Sequence, residues 1–246
     1  MRASGWHRRP DEELQRSCFP AGPFQAARLD ERRGSDRQVR RFGGVDFDVF
    51  PGVYDTGVDT QLMVDAVRLR ATSRFLEVGC GCGAVALSLA TRCRGGVGVD
   101  INPLAIENAE HNRALLGVTN IHLAISDVFS DVAGTFDVIV CNPPYNHYEA
   151  VDVVDQMFWD PKDDMKRRFF ADVSRFLRPD GRVFFGWANF ADIDPRLPLR
   201  LAAVAGLRYV RHWSRRSGKG VHLFLVYEFA AAGVQPIASD LPARSR

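Results

Sequence analysis

The residues best suited to chemistry lie in two short stretches, Glu77-Val78-Gly79-Cys80-Gly81-Cys82-Gly83 and Asn142-Pro143-Pro144-Tyr145. In the first, Gly79, Gly81 and Gly83 allow the main chain to take positive φ and come close to a ligand. Their spacing is G-x-G-x-G, not the G-x-G-x-x-G of a dinucleotide site, and an acid stands two residues before the first glycine. Glu77 would repel a pyrophosphate there, but it suits a cationic amino group. Asp100, about twenty residues further on, can accept hydrogen bonds from both hydroxyls of a ribose, and Ile101 beside it offers an apolar edge for an adenine ring. The plainer alternative is a tight structural turn followed by surface acids.

The second stretch points to nitrogen. Consecutive prolines fix the loop and remove two N–H donors, so carbonyls are the backbone groups left to act. An amide or amino N–H₂ group needs acceptors aimed at it. The Asn142 side-chain oxygen and the Pro143 carbonyl could supply two, with Pro144 and Tyr145 lining the substrate side and the Tyr145 ring stacking on a planar group. Acceptors on N–H groups stabilise positive charge developing at nitrogen, so a group transfer to nitrogen placed here needs no strong base before attack. A rigid loop whose asparagine caps a turn is the alternative. His147 is a further candidate for the substrate, or else an exposed loop histidine.

Such residues need strand ends and helix starts to hold them. Val39 to Phe42 and Val45 to Phe50 flank Gly43-Gly44 and read as a β-hairpin. Leu62, Met63, Ala66, Val67 and Leu69 then recur at helical spacing. Beyond them strands alternate with helices. The expected strands are Arg74–Val78, Gly96–Asp100, Ile121–Ile125, Phe136–Cys141, Arg182–Trp187, Leu207–Trp213 and Val221–Phe229. The expected helices are Ala84–Thr91, Pro103–Leu116, Pro161–Leu177 and about Pro195–Ala205. Met165, Phe169, Val173 and Leu177 form one apolar stripe on the third helix, and Pro179 marks its stop. This alternation predicts an α/β fold, a doubly wound, mostly parallel seven-stranded sheet. The last two strands are joined by only Ser214–Gly220, too short for a parallel crossover, so the last strand should be antiparallel. The glycine turn and the proline loop then both sit at carboxyl ends of strands, where ligands bind in open α/β sheets.

Bulk properties narrow the classes. At 246 residues, with 46% apolar residues, the chain suits one α/β domain with extensions. We expect a mobile basic arm over residues 1–37 with a short helix around Glu12 to Cys18, the domain over 38–230, and a flexible tail over 231–246. A net charge of +2 gives no global basic field, so nucleic acid is possible but not favoured as a partner. The five cysteines are odd in number, and Cys80-x-Cys82 lacks the spacing of a zinc knuckle, so neither a disulfide framework nor a metal is expected. With no signal peptide and no run near the ~18 apolar residues a membrane helix needs, a cytoplasmic protein without membrane contact is expected.

FLEVGCGCG, GVDINPLAIENAEHN and SDVF, in that order, resemble successive motifs of class I S-adenosylmethionine-dependent methyltransferases. The resemblance runs from about Phe47 to Phe229 and implies S-adenosylmethionine as cofactor. It places Gly79 and Gly81 at the methionine side, Asp100 at the ribose and Asp127 at the adenine amino group. Asn-Pro-Pro-Tyr resembles the signature of N-methyltransferases that act on adenine N6 or on the glutamine N5 of release factors. Val53 to Thr60 is similar to the segment before the cofactor domain in the release-factor enzymes, which makes Tyr54 and Thr60 candidate substrate and cofactor contacts. Asn146–Lys166 differs from those enzymes, and Trp159-Asp160-Pro161 stands there instead, with Trp159 a candidate substrate contact. Three readings stay open: an N-methyltransferase for a protein amide, one for a small planar metabolite or nucleobase, and a non-catalytic cofactor-binding subunit.

Overall fold

The computed structural model describes residues 22–191, 194, 196–217 and 222–231. The expected helix at Glu12 to Cys18, residues 218–220 of the loop Ser214–Gly220 and the tail beyond residue 231 lie outside the described residues.

The chain begins its described part with helix α1 (Gly22–Gly34), then a hairpin of β1 (Gln38–Phe42) and β2 (Val45–Val49), then α2 (Val58–Ala66). The expectation of a mobile arm as far as residue 37 is therefore corrected. Gln25, Leu29 and Arg32 recur at helical spacing and are all buried, but two of the three are polar, so no hydrophobic period marks the helix. Pro23 fits a first helical turn, where a missing N–H costs nothing. Arg32 ties α1 down: its Nε donates to the Val53 carbonyl at 3.0 Å and a terminal nitrogen to the Phe50 carbonyl at 2.7 Å.

The remaining elements alternate as expected. They are β3 (Arg74–Val78), α3 (Ala84–Ala90), β4 (Gly95–Asp100), α4 (Pro103–Leu115), β5 (Ile121–Ile125) and β6 (Phe136–Cys141). Two short 3₁₀ turns follow, then α5 (Asp164–Phe176), β7 (Leu177–Ala188), α6 (Leu197–Val204), β8 (Leu207–Arg216) and β9 (Leu223–Ala231). The sheet has seven strands in the order β5-β4-β3-β6-β7-β9-β8, and β9 runs antiparallel to both its neighbours. The fold is α/β and doubly wound, as the alternation requires. Strand β7 starts five residues before the expected Arg182, because Leu177 already pairs with Phe136 across a register shift.

Two apolar layers sandwich the sheet. One holds Phe169, Phe170 and Val173 of α5 against Phe185 and Phe229. The other holds Met63 and Ala66 of α2 with Ala86 and Leu89 of α3. A smaller cluster of Leu29, Phe158 and Trp159 lies under α1. The hairpin is bound to α4 through two wholly buried asparagines. Asn112 accepts from the Asp48 amide at 2.9 Å and donates to the carbonyls of Asp48 and Cys82, while Asn108 accepts from the Phe50 amide. These residues belong to the ENAEHN run of the sequence; their work is to fasten backbone.

Candidate active site

Strand register sets the geometry. Val78 of β3 pairs with Cys141 of β6, so the glycine turn and the Asn142 loop leave neighbouring strand ends side by side. Strand order reverses here, β4 lying on one side of β3 and β6 on the other, and a crevice opens at such a point. The crevice holds about 1180 Å³ of space including its open mouth. Tyr54, Thr60, Glu77, Gly79, Gly81, Asp100, Ile101, Asp127, Asn142, Pro143, Pro144 and Tyr145 all line it.

On the glycine side, Gly79 and Gly81 have φ of +77° and +53°. A Cβ on Gly79 would meet no atom within 4 Å, so its open side is kept for a ligand, not for packing. Gly83 differs. It stands outside the lining, and a Cβ there would come within 3.1 Å of both Ala109 and Leu87. Gly83 lets α3 pack closely on α4.

The acids are held differently. Glu77 is 2% exposed, and its Oε2 has no hydrogen-bond partner among the described residues. Burial, opposed by a backbone bond from Ala86 and aided by nearby Asp100, pushes its carboxyl well above the ordinary 4.5. A buried oxygen left unpaired calls for a partner. The ammonium of the methionine end of S-adenosylmethionine is such a partner, so the residues fit the cofactor. Asp100 accepts from the amides of Gly81 and Asn102, each at 2.9 Å, which holds its carboxylate at the crevice. Burial raises its pKa and those two bonds oppose the rise. Asp127 is half-exposed and takes a bidentate pair from Arg168 at 2.8 and 2.9 Å, an engagement its sequence position did not announce. The next residue, Val128, has φ of +56°, rare for a β-branched residue, and lines the same edge.

On the other side, Asn142 is held by two neighbours. Its Nδ2 donates to the Asp59 carboxylate at 2.8 Å, and its Oδ1 accepts from the Tyr145 hydroxyl at 2.7 Å. Tyr54 also donates to Asp59, at 2.9 Å. The Tyr145 ring is 6% exposed and packs edge-on against Trp187 and Phe190. Its ring is thus anchored in the core while the residue still lines the crevice. Burial, with Asp59 adding, holds both tyrosine hydroxyls protonated well past their usual range. Gly186 of β7 makes room, since a Cβ there would fall 2.2 Å from Asn142 Oδ1.

A buried lysine secures the loop from behind. The Lys166 ammonium donates to the Pro144 carbonyl at 3.0 Å and pairs with Asp160 at 2.8 Å and Asp163 at 3.2 Å. Three acceptors use its three protons. Trp159 is 6% exposed and packs in the cluster under α1, outside the crevice lining. His147 is exposed, stacks on Tyr148 and is also outside the lining. Neither expected substrate contact lines the crevice. Asp59, Lys166, Gly186 and Val128 escaped sequence reasoning. Only Lys166 left a trace: the chain has three lysines in a background of arginine, and one follows Met165 on the apolar stripe.

Burial pushes the Cys80 thiol up and that of Cys82 to about 12, so both stay protonated in the crevice wall. No cluster of metal-ligating side chains occurs among the described residues. Among them, too, no helix is long and apolar enough to cross a membrane.

Fold and crevice together define an S-adenosylmethionine-dependent methyltransferase of the Rossmann-like class. The methyltransferase small domain family matches residues 45–208, and the chain belongs to it. The chain is 33% identical over 147 residues to a putative protein N5-glutamine methyltransferase of Methanocaldococcus jannaschii, covering 57% of this chain and 74% of that one. It is 32% identical over 185 residues to the release factor glutamine methyltransferase of Agrobacterium fabrum, and spans 64% of each chain. Among solved structures, a 16S rRNA N2 methyltransferase of T. thermophilus in complex with AdoMet and guanosine superposes with a TM-score of 0.57. The match covers 78% of this chain and 50% of that one at 21% identity, a likeness of fold.

Proposed function

We propose that the protein methylates the side-chain amide nitrogen of a glutamine in a protein substrate. One observation carries the reading. The wall at Asn142 to Tyr145 offers hydrogen-bond acceptors, while its aromatic ring is committed to the core against Trp187 and Phe190. An amide N–H₂ needs the acceptors and no stacking surface; a nucleobase needs both. The two relatives named for glutamine N5 methylation support the same choice.

S-adenosylmethionine, when bound, supplies an electrophilic methyl group on sulfur. This chain's residues do the rest. Glu77 and Asp100 fix the two ends of the cofactor's polar frame. The Asn142 oxygen and the Pro143 carbonyl accept the two amide hydrogens, aim the nitrogen and stabilise the charge it gains. Buried Lys166 keeps the neighbouring Pro144 carbonyl engaged, which leaves that of Pro143 to the substrate. The setting carries with it a cytoplasmic enzyme.

The test is incubation with methyl-tritiated cofactor and, separately, a purified release factor, ribosomal RNA and a small-metabolite extract. Label is expected in the release factor, on a glutamine, and Asn142→Ala should lower the rate by about 10²–10³-fold with cofactor affinity kept. Label confined to RNA or to metabolites overturns the amide reading. Cofactor binding without label anywhere points to a non-catalytic subunit.

A further inference from the structure

One hydrogen bond in the crevice wall joins residues 83 positions apart, Asp59 and Asn142. Asp59 sits in the first turn of α2, where the helix dipole favours a carboxylate. Its place is prepared. The Gly57 amide donates to Thr60 Oγ1 at 3.0 Å, closing the turn, and a Cβ on Gly57 would come within 2.6 Å of Asp59 Oδ1. Asp59 is 4% exposed, and one oxygen, Oδ2, accepts from Tyr54 and Asn142, with the Tyr145 hydroxyl 3.5 Å away.

This arrangement settles a question that an asparagine alone leaves open. A side-chain amide can present its oxygen or its NH₂ in either direction with little change in shape. An ionised carboxylate accepts only. Facing Asp59, the amide must turn its NH₂ to the carboxylate and its oxygen the other way, into the space left by Gly186, where Tyr145 donates to it. The reversed amide would set two oxygens against each other at Asp59. Tyr145 takes one lone pair of Oδ1 and a second remains.

We propose that Asp59 is a positioning residue that locks the Asn142 amide as an acceptor and so makes the site selective for substrates that offer an N–H donor. The inference rests on the reading of Asn142 as the group that holds the acceptor nitrogen. Asp59 works through Asn142 and not on the substrate. Replacing it with asparagine keeps the size but lets residue 59 offer an NH₂ to the Asn142 oxygen, and the lock is gone.

Two measurements test this. In the first, the side-chain amide signals of Asn142 are assigned in the ¹⁵N-labelled protein with Asn142→Ala, and their exchange with solvent is timed. The expected result is exchange slowed at least tenfold against an exposed asparagine, with the protection lost in Asp59→Asn; unprotected amide hydrogens in the unaltered protein overturn the proposal, whether or not the variant folds. The second is a double-mutant cycle with purified release factor and methyl-tritiated cofactor. Asp59→Asn should lower kcat by about 10²-fold with KM and cofactor affinity little changed, and should cost nothing more once Asn142 is alanine. A further loss in the double variant means that Asp59 acts independently, and the proposal fails. If Asn142→Ala is fully active, the acceptor reading falls instead. If Asn142→Ala is impaired and Asp59→Asn is not, that reading stands and this one falls.

Discussion

The two walls of the crevice are built on opposite plans. The cofactor wall is local: Glu77 to Gly81, Asp100 and Asp127 come from three successive strand ends, and backbone geometry does most of the holding. The acceptor wall is assembled from distant pieces. Asp59 reaches Asn142, Asn146 bonds Gln25 of α1, Arg33 pairs with Asp152 and Asp155, and Lys166 returns to Pro144. A cofactor common to many enzymes can be held by a turn. The acceptor is held instead by side chains brought together only by the fold.

The comparison can be broken most forcefully at Lys166. Lys166→Met leaves Asp160 and Asp163 buried without their cation, and stability should fall by about 3–5 kcal/mol, as expected for one partner removed from a buried pair. Denaturant melts measure the loss. Hydrogen exchange should show residues 144–166 opening first while the glycine turn stays protected. Simultaneous opening of both walls would mean that they are not separate units.

The cofactor wall is sharpened by pH. Burial raises the Glu77 carboxyl well above the ordinary 4.5, so in the free protein it holds its proton through the pH range just above that value. The sign follows from there. Pairing with an ammonium requires the carboxylate, so cofactor binding releases a proton and affinity rises with pH until the raised pKa is passed. Stability of the free protein falls over the same interval. Glu77→Gln should weaken binding by about 1.5–3 kcal/mol and flatten the dependence. Calorimetry in buffers of different ionisation enthalpy reads both, and equal affinity at each pH would dismiss the pairing.

The smallest effect is expected at Arg33→Ala. Its ion pairs with Asp152 and Asp155 are partly exposed and worth about 0–1 kcal/mol. Melting should barely move, and cofactor affinity should not move at all. Proteolysis of the 150–157 segment should quicken.

The same contrast explains what the sequence disclosed. The strands from Arg74 to Cys141 and the acids after them were legible because each is a local pattern: a strand, a glycine turn, an acid at a strand end. Strand β9 was legible as antiparallel because its connection is short. Helix α1 was not, since its buried face carries Gln25 and Arg32, which look like solvent residues until their partners are known. Asp59 was passed over for Thr60, its neighbour, because only the fold brings it to Asn142. Trp159 and Tyr145 were read by residue type as faces for a substrate; the Trp159 ring packs under α1 and outside the crevice lining, and the Tyr145 ring, though it lines the crevice, packs against Trp187. Gly83 belonged to the motif but served the helix pair.

Asn112 has a consequence for how the two walls communicate. One amide grips the carbonyl of Asp48 in the hairpin and that of Cys82 in the glycine turn, and the hairpin leads directly into the segment that carries Tyr54 and Asp59. Asn112 thus ties the glycine turn to the segment facing the acceptor through one side chain, and any coupling carried by it would act equally in both directions.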